Sequence, residues 1–241
     1  MSATNSDTLS FTQALQETNA INFLNAAERE VRDHETRGDW ARILCSSMPA
    51  SHKAIPTVWA MKRKSRPDST LLKHRARLCA GGHQQVYEVN YWETYSPVVQ
   101  WVTVWVLLIL ASVEILHTCQ VDFVLAFPQA DLDVLIYMQL PQGFDDDSKT
   151  HVLLLKKFLY RLKQASSSWF EKLQFGLKQQ DFVQSKIDSC CFMKSDLIFL
   201  VFVDDCLLFS CSAASLMALI LALQVDFVLI DEGDISDYLG I

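Results

Sequence analysis

Leu197-Ile198-Phe199-Leu200-Val201-Phe202-Val203-Asp204-Asp205-Cys206-Leu207-Leu208-Phe209-Ser210 sets two adjacent carboxylates inside an apolar run. Seven apolar residues precede the pair and four follow it. The run is rich in β-branched and aromatic residues and is interrupted at its centre, which reads as two short buried strands rather than one helix. Asp is disfavoured in strands and favoured in turns. Asp204 and Asp205 are therefore expected to cap a tight hairpin whose flanks are core. Two like charges there repel and resist desolvation, and a divalent cation would neutralise them. An isolated Asp-Asp pair reads far more readily as an ordinary surface turn, but a third carboxylate changes the weighing. Asp122 lies in Cys119-Gln120-Val121-Asp122-Phe123-Val124-Leu125-Ala126-Phe127, again just after a short apolar stretch. A strand-end Asp and a hairpin Asp pair can converge on two Mg²⁺ ions about 3.5–4 Å apart, which clamp the attacking and leaving oxygens of a phosphoryl transfer.

Outward from this stretch, Ala213 to Leu223 and Val98 to Leu116 are strongly apolar. A membrane span needs about 20 apolar residues. Gln100 and Glu114 bracket the second run too closely, and the first is shorter still. Both are expected to be helices, the first packed beneath a sheet and the second buried in a core. A membrane-associated protein remains the reading that rests on these runs alone. Trp169, Leu173 and Leu177 fall at four-residue spacing and predict a further helix to Gln180. Cys190-Cys191 reads as a buried strand pair leading into the hairpin. Phe11 to Arg37 predicts one or two amphipathic helices, and Asp39 to Pro49 an extended connector.

The net charge of −7 argues against nucleic acid, but its distribution does not. Lys53, Lys62, Arg63, Lys64, Arg66, Lys73, Arg75 and Arg77 face a lone Asp68, a footprint suited to phosphates as well as to a merely solvated hairpin. Val58–Lys64 and Leu71–Cys79 read as the hairpin's strands around the turn residues Ser65 to Ser69. Lys156, Lys157, Arg161 and Lys163 form a second basic patch. Asp145-Asp146-Asp147 lacks further oxygen ligands at loop spacing and reads as a solvated loop. Hydrophobic content of 50% fits a globular chain with a substantial core. Seven cysteines without Cys-x-x-Cys spacing argue for reduced thiols in an intracellular protein. Met1 to Ser10 is polar, lacks the regions of a signal peptide and is expected to be disordered.

Phe202-Val203-Asp204-Asp205 resembles the Tyr-x-Asp-Asp box of reverse transcriptases. The ordered set of blocks is similar to the reverse transcriptase domain of Ty1/copia-type LTR retrotransposons. The blocks are Arg75-Ala76-Arg77-Leu78, Glu93 to Val99, Asp122 to Phe127 with Ile136 to Phe144, Leu159 to Ala165, the Asp204-Asp205 box and Tyr238-Leu239-Gly240-Ile241. The resemblance implies an α+β fold with right-hand polymerase fingers and palm, an antiparallel palm sheet backed by helices, and a thumb largely missing. Residues 1–56 would be an N-terminal tail, helical segment and connector. Residues 57–241 would be fingers (roughly 57–105 and 130–165) and palm (roughly 106–129 and 166–241).

The activity implied is RNA-directed DNA polymerisation, with Asp122, Asp204 and Asp205 as catalytic residues and ligands of two Mg²⁺ ions, Mn²⁺ being an alternative. Arg77, Lys62, Lys73, Phe127 and Phe202 would bind the deoxynucleoside triphosphate, Phe127 lying under its sugar. Lys157, Arg161, Lys163 and Gln164 would face an RNA/DNA template–primer duplex. Other polyprotein segments are further expected partners, and a membrane is not. Several positions depart from the family pattern. Phe202 replaces a tyrosine, Gly81 a lysine, Arg161 a glycine, and Ser166-Ser167 a Pro-Arg pair, while Pro128 follows the expected sugar-gate residue. These departures leave open a degenerate, non-catalytic nucleic-acid-binding remnant.

Overall fold

Turn chemistry and apolar spacing divide the chain into short elements, described in a computed structural model for residues 8–65, 71–144 and 146–235. In chain order the first are β1 (Thr8–Leu9), α1 (Phe11–Leu15), α2 (Ala20–Arg37), β2 (Trp40–Leu44), β3 (Thr57–Ser65), β4 (Leu71–Ala80), α3 (Trp101–Val113), β5 (His117–Phe123) and α4 (Ala126–Gln129). Then come β6 (Tyr137–Met138), β7 (His151–Leu155), α5 (Ala165–Gln179), β8 (Val183–Gln184), β9 (Cys191–Lys194), β10 (Leu197–Phe202), β11 (Asp205–Ser210), α6 (Ala213–Leu223) and β12 (Leu229–Gly233). They form two units, Met1–Trp92 with Asp131–Ala165, and Glu93–Ala130 with Ser166–Ile241. Helices and antiparallel sheets make up both, an α+β composition.

In the first unit the β3–β4 hairpin has two unlike faces, because side chains alternate along a strand. Trp59, Met61, Ala76 and Leu78 are buried. Helices α1 and α2 cover this face, with Phe11 stacked on Trp59 at 6.1 Å and Phe23 edge-on to His74 at 4.6 Å. The helix-spaced stripe Phe23, Ala27, Val31 and His34 is the buried side of α2, which stops at Gly38 in the left-handed region. His34 is 2% exposed, with Nδ1 2.6 Å from Asp39 Oδ2 and Nε2 3.4 Å from Glu30 Oε1. Arg37 also bonds Asp39, and Glu30 accepts the backbone N–H of Leu78 at 3.1 Å. The N-terminal segment is thereby bonded directly to β4.

Two expectations are corrected here. Thr8 and Leu9, expected to be disordered, pair with Lys62 and Met61 as β1. Residues 40–44, expected as part of a connector, form β2 and pair along β7 in a sheet ordered β2-β7-β6. Trp40 packs against His34 at 4.7 Å, and the Asp39 carbonyl accepts from Lys156 and Lys157. A five-residue edge strand flanked by polar residues carries little periodic signal, so its partner defines it.

The second unit is a six-stranded antiparallel sheet ordered β12-β5-β11-β10-β9-β8. Cys206 to Phe209 of the central strand β11 are all buried, as a strand covered on both faces requires. Trp169, Leu173 and Leu177 of α5 and Leu216, Leu219, Ile220 and Leu223 of α6 join this core. Helix α3 was expected to be buried, yet it contributes only Val104, Leu107 and Ala111 to the core. Val102, Val106, Ile109 and Val113 are exposed, because a helix meets a sheet along one stripe whatever its composition. Among the described residues no helix is long and apolar enough to cross a membrane. Cys190 and Cys191 are buried free thiols, but they are not the expected strand pair: Cys191 opens β9, whereas Cys190 lies in the turn before it. The block Tyr238 to Ile241 and the β3–β4 turn at residues 66–70 lie outside the described residues.

Candidate active site

Strands β10 and β11 pair with Phe202 opposite Asp205, so Val203 and Asp204 are the two-residue loop of a tight hairpin. Such loops need positive φ at their first central residue to match the strands' twist. Val203 has φ +56°, a left-handed conformation that its β-branch opposes at a cost of about 1–3 kcal/mol. Two hydrogen bonds hold the loop. The indole Nε1–H of Trp169 donates to the Val203 carbonyl at 2.7 Å. The Phe123 amide donates to the Asp204 carbonyl at 2.9 Å. On the next strand, Asp122 is the register partner of Asp205. The fold therefore brings all three expected carboxylate residues to one end of adjoining strands.

Burial first, and then the charges of Asp204, Asp122 and Glu232, together push the Asp205 carboxyl up to about 6. Glu232 is the group the sequence did not reveal. It lies on β12 beside β5, where the register shifts between Asp231 and Gly233 opposite Val121 and Gln120. A bulge re-aims side chains and leaves no periodic signature. The hard oxygen donors and their crowded like charges fit an oxygen-preferring divalent cation. Among the described residues no three His, Cys, Asp or Glu side chains converge closely enough to form a cage for a metal ion. The carboxylates thus form an open set, close enough to perturb one another and not closed around a centre.

Phe127 and Phe202 are partly buried against the same core. Phe127 follows Leu125, which turns the chain at φ +52° into α4. Pro128 sits within the first turn of α4, where its missing N–H has no helical acceptor to lose.

In the first unit the uncovered face of the β3–β4 hairpin is cationic. Lys62 is the register partner of Arg75, and Ala60 of Arg77. Lys62, Arg75 and Arg77 line a concavity of about 120 Å³ with Ala60. The Arg77 guanidinium lies 3.9 Å above the Tyr160 ring, which fixes its plane. Lys73 is exposed two residues before Arg75. Arg75, absent from the expected nucleotide-binding set, thus shares this face with Arg77 and Lys62.

The remaining expected residues divide. Lys157 donates to Asp131 at 2.7 Å, and Arg161 is exposed at φ +71°. Lys163 Nζ bonds the Gln85 carbonyl and the Tyr91 hydroxyl. Gln164 is buried, accepting from Gln85 and donating to the Asn90 carbonyl. Lys163 and Gln164 therefore tie the loop after β4 to the turn before α5. Asp145 lies outside the described residues; Asp146 and Asp147 are exposed, and Asp147 pairs with Arg42.

The family model described as reverse transcriptase (RNA-dependent DNA polymerase) matches residues 42–241. The retrovirus-related Pol polyprotein from transposon TNT 1-94 of Nicotiana tabacum is 30% identical over 191 residues, 77% of this chain and 14% of that protein. The retrovirus-related Pol polyprotein from transposon RE1 of Arabidopsis thaliana is 34% identical over 199 residues, 80% of this chain and 14% of that protein. The transposon Ty1-ER2 Gag-Pol polyprotein of Saccharomyces cerevisiae is 30% identical over 143 residues, 57% of this chain and 8% of that protein. The chain spans about 14% of the length of the plant relatives it matches.

Proposed function

The chain belongs to the reverse transcriptase (RNA-dependent DNA polymerase) family, and on that premise we propose that it is the polymerase portion of a copia-type Pol polyprotein. It extends a primer 3′-hydroxyl on an RNA template with deoxynucleoside triphosphates. One observation carries the reading: Asp122 stands opposite Asp205 in register, beside Asp204 at the tip of the same hairpin. The second unit takes the palm role and the first the fingers role. Asp122, Asp204 and Asp205 would hold two Mg²⁺ ions, Mn²⁺ being able to substitute. Such ions would supply a lowered pKa at the hydroxyl and positive charge opposite the phosphates. Asp122 and the hairpin pair orient the primer terminus and the α-phosphate, so that catalysis is mainly positioning and charge stabilisation. Arg77, Lys62 and Lys73, with Arg75, bind the triphosphate oxygens. Phe127 packs beneath the sugar and disfavours a 2′-hydroxyl, with Phe202 nearby in the box. Lys157 and Arg161 contact the duplex backbone, and Lys163 and Gln164 support them from within.

The test is primer extension on an RNA template with deoxynucleotides and Mg²⁺ or Mn²⁺, beside Asp204→Asn. Incorporation by the parent that the variant loses supports the reading. A second reading, a non-catalytic nucleic-acid-binding remnant, is favoured by Arg161, whose φ of +71° suits the family's glycine at that place. Salt-sensitive duplex binding without incorporation would select it.

A further inference from the structure

Trp169 is the bulkiest fully buried side chain among the described residues, at 1% exposure. Its hydrogen bond and its ring contact with Phe123 lead to the carboxylate site. Its N–H holds the Val203 carbonyl, and the next carbonyl of the loop, that of Asp204, is held by the Phe123 amide. Phe123 directly follows Asp122 and lies edge-on to the Trp169 ring at 5.1 Å. Phe227 closes the triangle, 5.9 Å from Trp169 and 5.6 Å from Phe123. The neighbouring Val228 carbonyl accepts the Val124 amide, just past β5. Gly176 on α5 makes room for Phe227, since a Cβ there would stand 2.6 Å from that ring.

We propose that Trp169 is a positioning residue for the carboxylates. Its N–H keeps the loop in the left-handed conformation that Val203 resists, and its ring fixes the backbone carrying Asp122. The hairpin register alone aligns Asp205 with Asp122 but does not stop the loop from relaxing. Of the two loop residues, Val203 is the one at positive φ and so the one that gains by leaving its conformation. A donor on a buried, immobile ring is a suitable restraint, because it cannot follow the carbonyl outward. The catalytic consequence rests on the polymerase reading; the positioning itself does not.

The test uses the full chain with Trp169→Phe, Val203→Gly and both together. Trp169→Phe keeps a ring and removes the donor. Val203→Gly removes the strain that the donor opposes. Three quantities are read: amide hydrogen exchange at Phe123 against Leu219 of α6, Mn²⁺ binding by electron paramagnetic resonance, and single-nucleotide incorporation. Losing one buried hydrogen bond should speed Phe123 exchange about five- to tenfold beyond any change at Leu219, and weaken Mn²⁺ binding to a similar degree. The double variant should recover most of both. Equal acceleration at Phe123 and Leu219, with no recovery, makes Trp169 an ordinary core residue and overturns the proposal. If Trp169→Phe does not fold, the double variant decides: parent-like exchange at Phe123 supports the proposal, and failure to fold overturns it. If the parent neither binds Mn²⁺ nor incorporates nucleotide, the polymerase reading falls while the exchange comparison still judges the positioning.

Discussion

Asp205→Asn should stabilise the cation-free protein at neutral pH. The Asp205 carboxyl is raised to about 6 by burial and by Asp204, Asp122 and Glu232. An unfolded carboxyl titrates near its ordinary value of 3.8. The unfolded state therefore ionises first as pH rises, and the native state loses stability between those values. The loss is complete above about pH 6 and absent below the unfolded value. At about 1.4 kcal/mol per pH unit the shift corresponds to about 3 kcal/mol. Asp205 is only partly buried, and solvent screening reduces the expected gain to about 1–2 kcal/mol. Asn keeps the shape and removes the charge. Urea unfolding in a chelating buffer should place the variant that much above the parent at pH 7.5, with the difference mostly gone at pH 4. Adding Mg²⁺ should then stabilise the parent more than the variant, since a ligand bound only to the native state adds stability. A variant no more stable than the parent at pH 7.5, or a gain that persists at pH 4, would refute the idea that like-charge crowding defines the site.

Arg161→Gly should raise stability by about 0.5–1 kcal/mol, because the left-handed residue loses its strain while the unfolded chain gains freedom; a lower urea midpoint would count against it. Gly82→Ala should cost about 3 kcal/mol or leave no folded protein, since a Cβ there would stand 1.9 Å from the Arg161 carbonyl oxygen; an unchanged midpoint would show that the loop shifts freely. His34→Gln should cost about 2 kcal/mol by uncoupling the buried Asp39 from the partly exposed Glu30 and Arg37 charges. Burial lowers the His34 pKa, but hydrogen bonds to Asp39 and Glu30 raise it above 6.5 overall. Its contribution is thus complete below 6.5 and fades as pH rises through the raised value. Burial raises Glu30 and Asp39, but His34 and their other partners bring both below their ordinary values. Their contribution fades only as pH falls through those lowered values, so the unfolding deficit should peak near pH 5–6; a deficit independent of pH would contradict the network.

The carboxylate hairpin, the basic hairpin, α5 and α6 were legible because each is announced locally. A carboxylate pair in an apolar run, turn residues between two strand patterns, and a four-residue apolar spacing need no knowledge of partners. β1 and β2 were not legible for the complementary reason. Thr8–Leu9 and Trp40–Leu44 become strands by bonding to β3 and β7, elements far along the chain. The apolar content of α3 predicted a helix correctly and its burial incorrectly, because composition does not say which stripe meets the sheet.

The same division runs through the site. Asp122, Asp204 and Asp205 announce themselves by type, whereas Lys163 and Gln164, chosen for chemistry that suits a phosphate backbone, are engaged with Gln85, Asn90 and Tyr91. A cation in a motif is equally a donor for buried carbonyls, and only the fold decides between those uses. Glu232 and Trp169 illustrate the reverse case, residues of ordinary appearance given a role by placement. One is carried beside the carboxylates by a bulge on a distant strand, and the other reaches the hairpin loop from a helix. The three aspartates bring together the negative charge that a bound cation would need, but charge crowding opposes their own assembly. What gathers them is neutral: a strand register, two hydrogen bonds to consecutive carbonyls, and three packed rings.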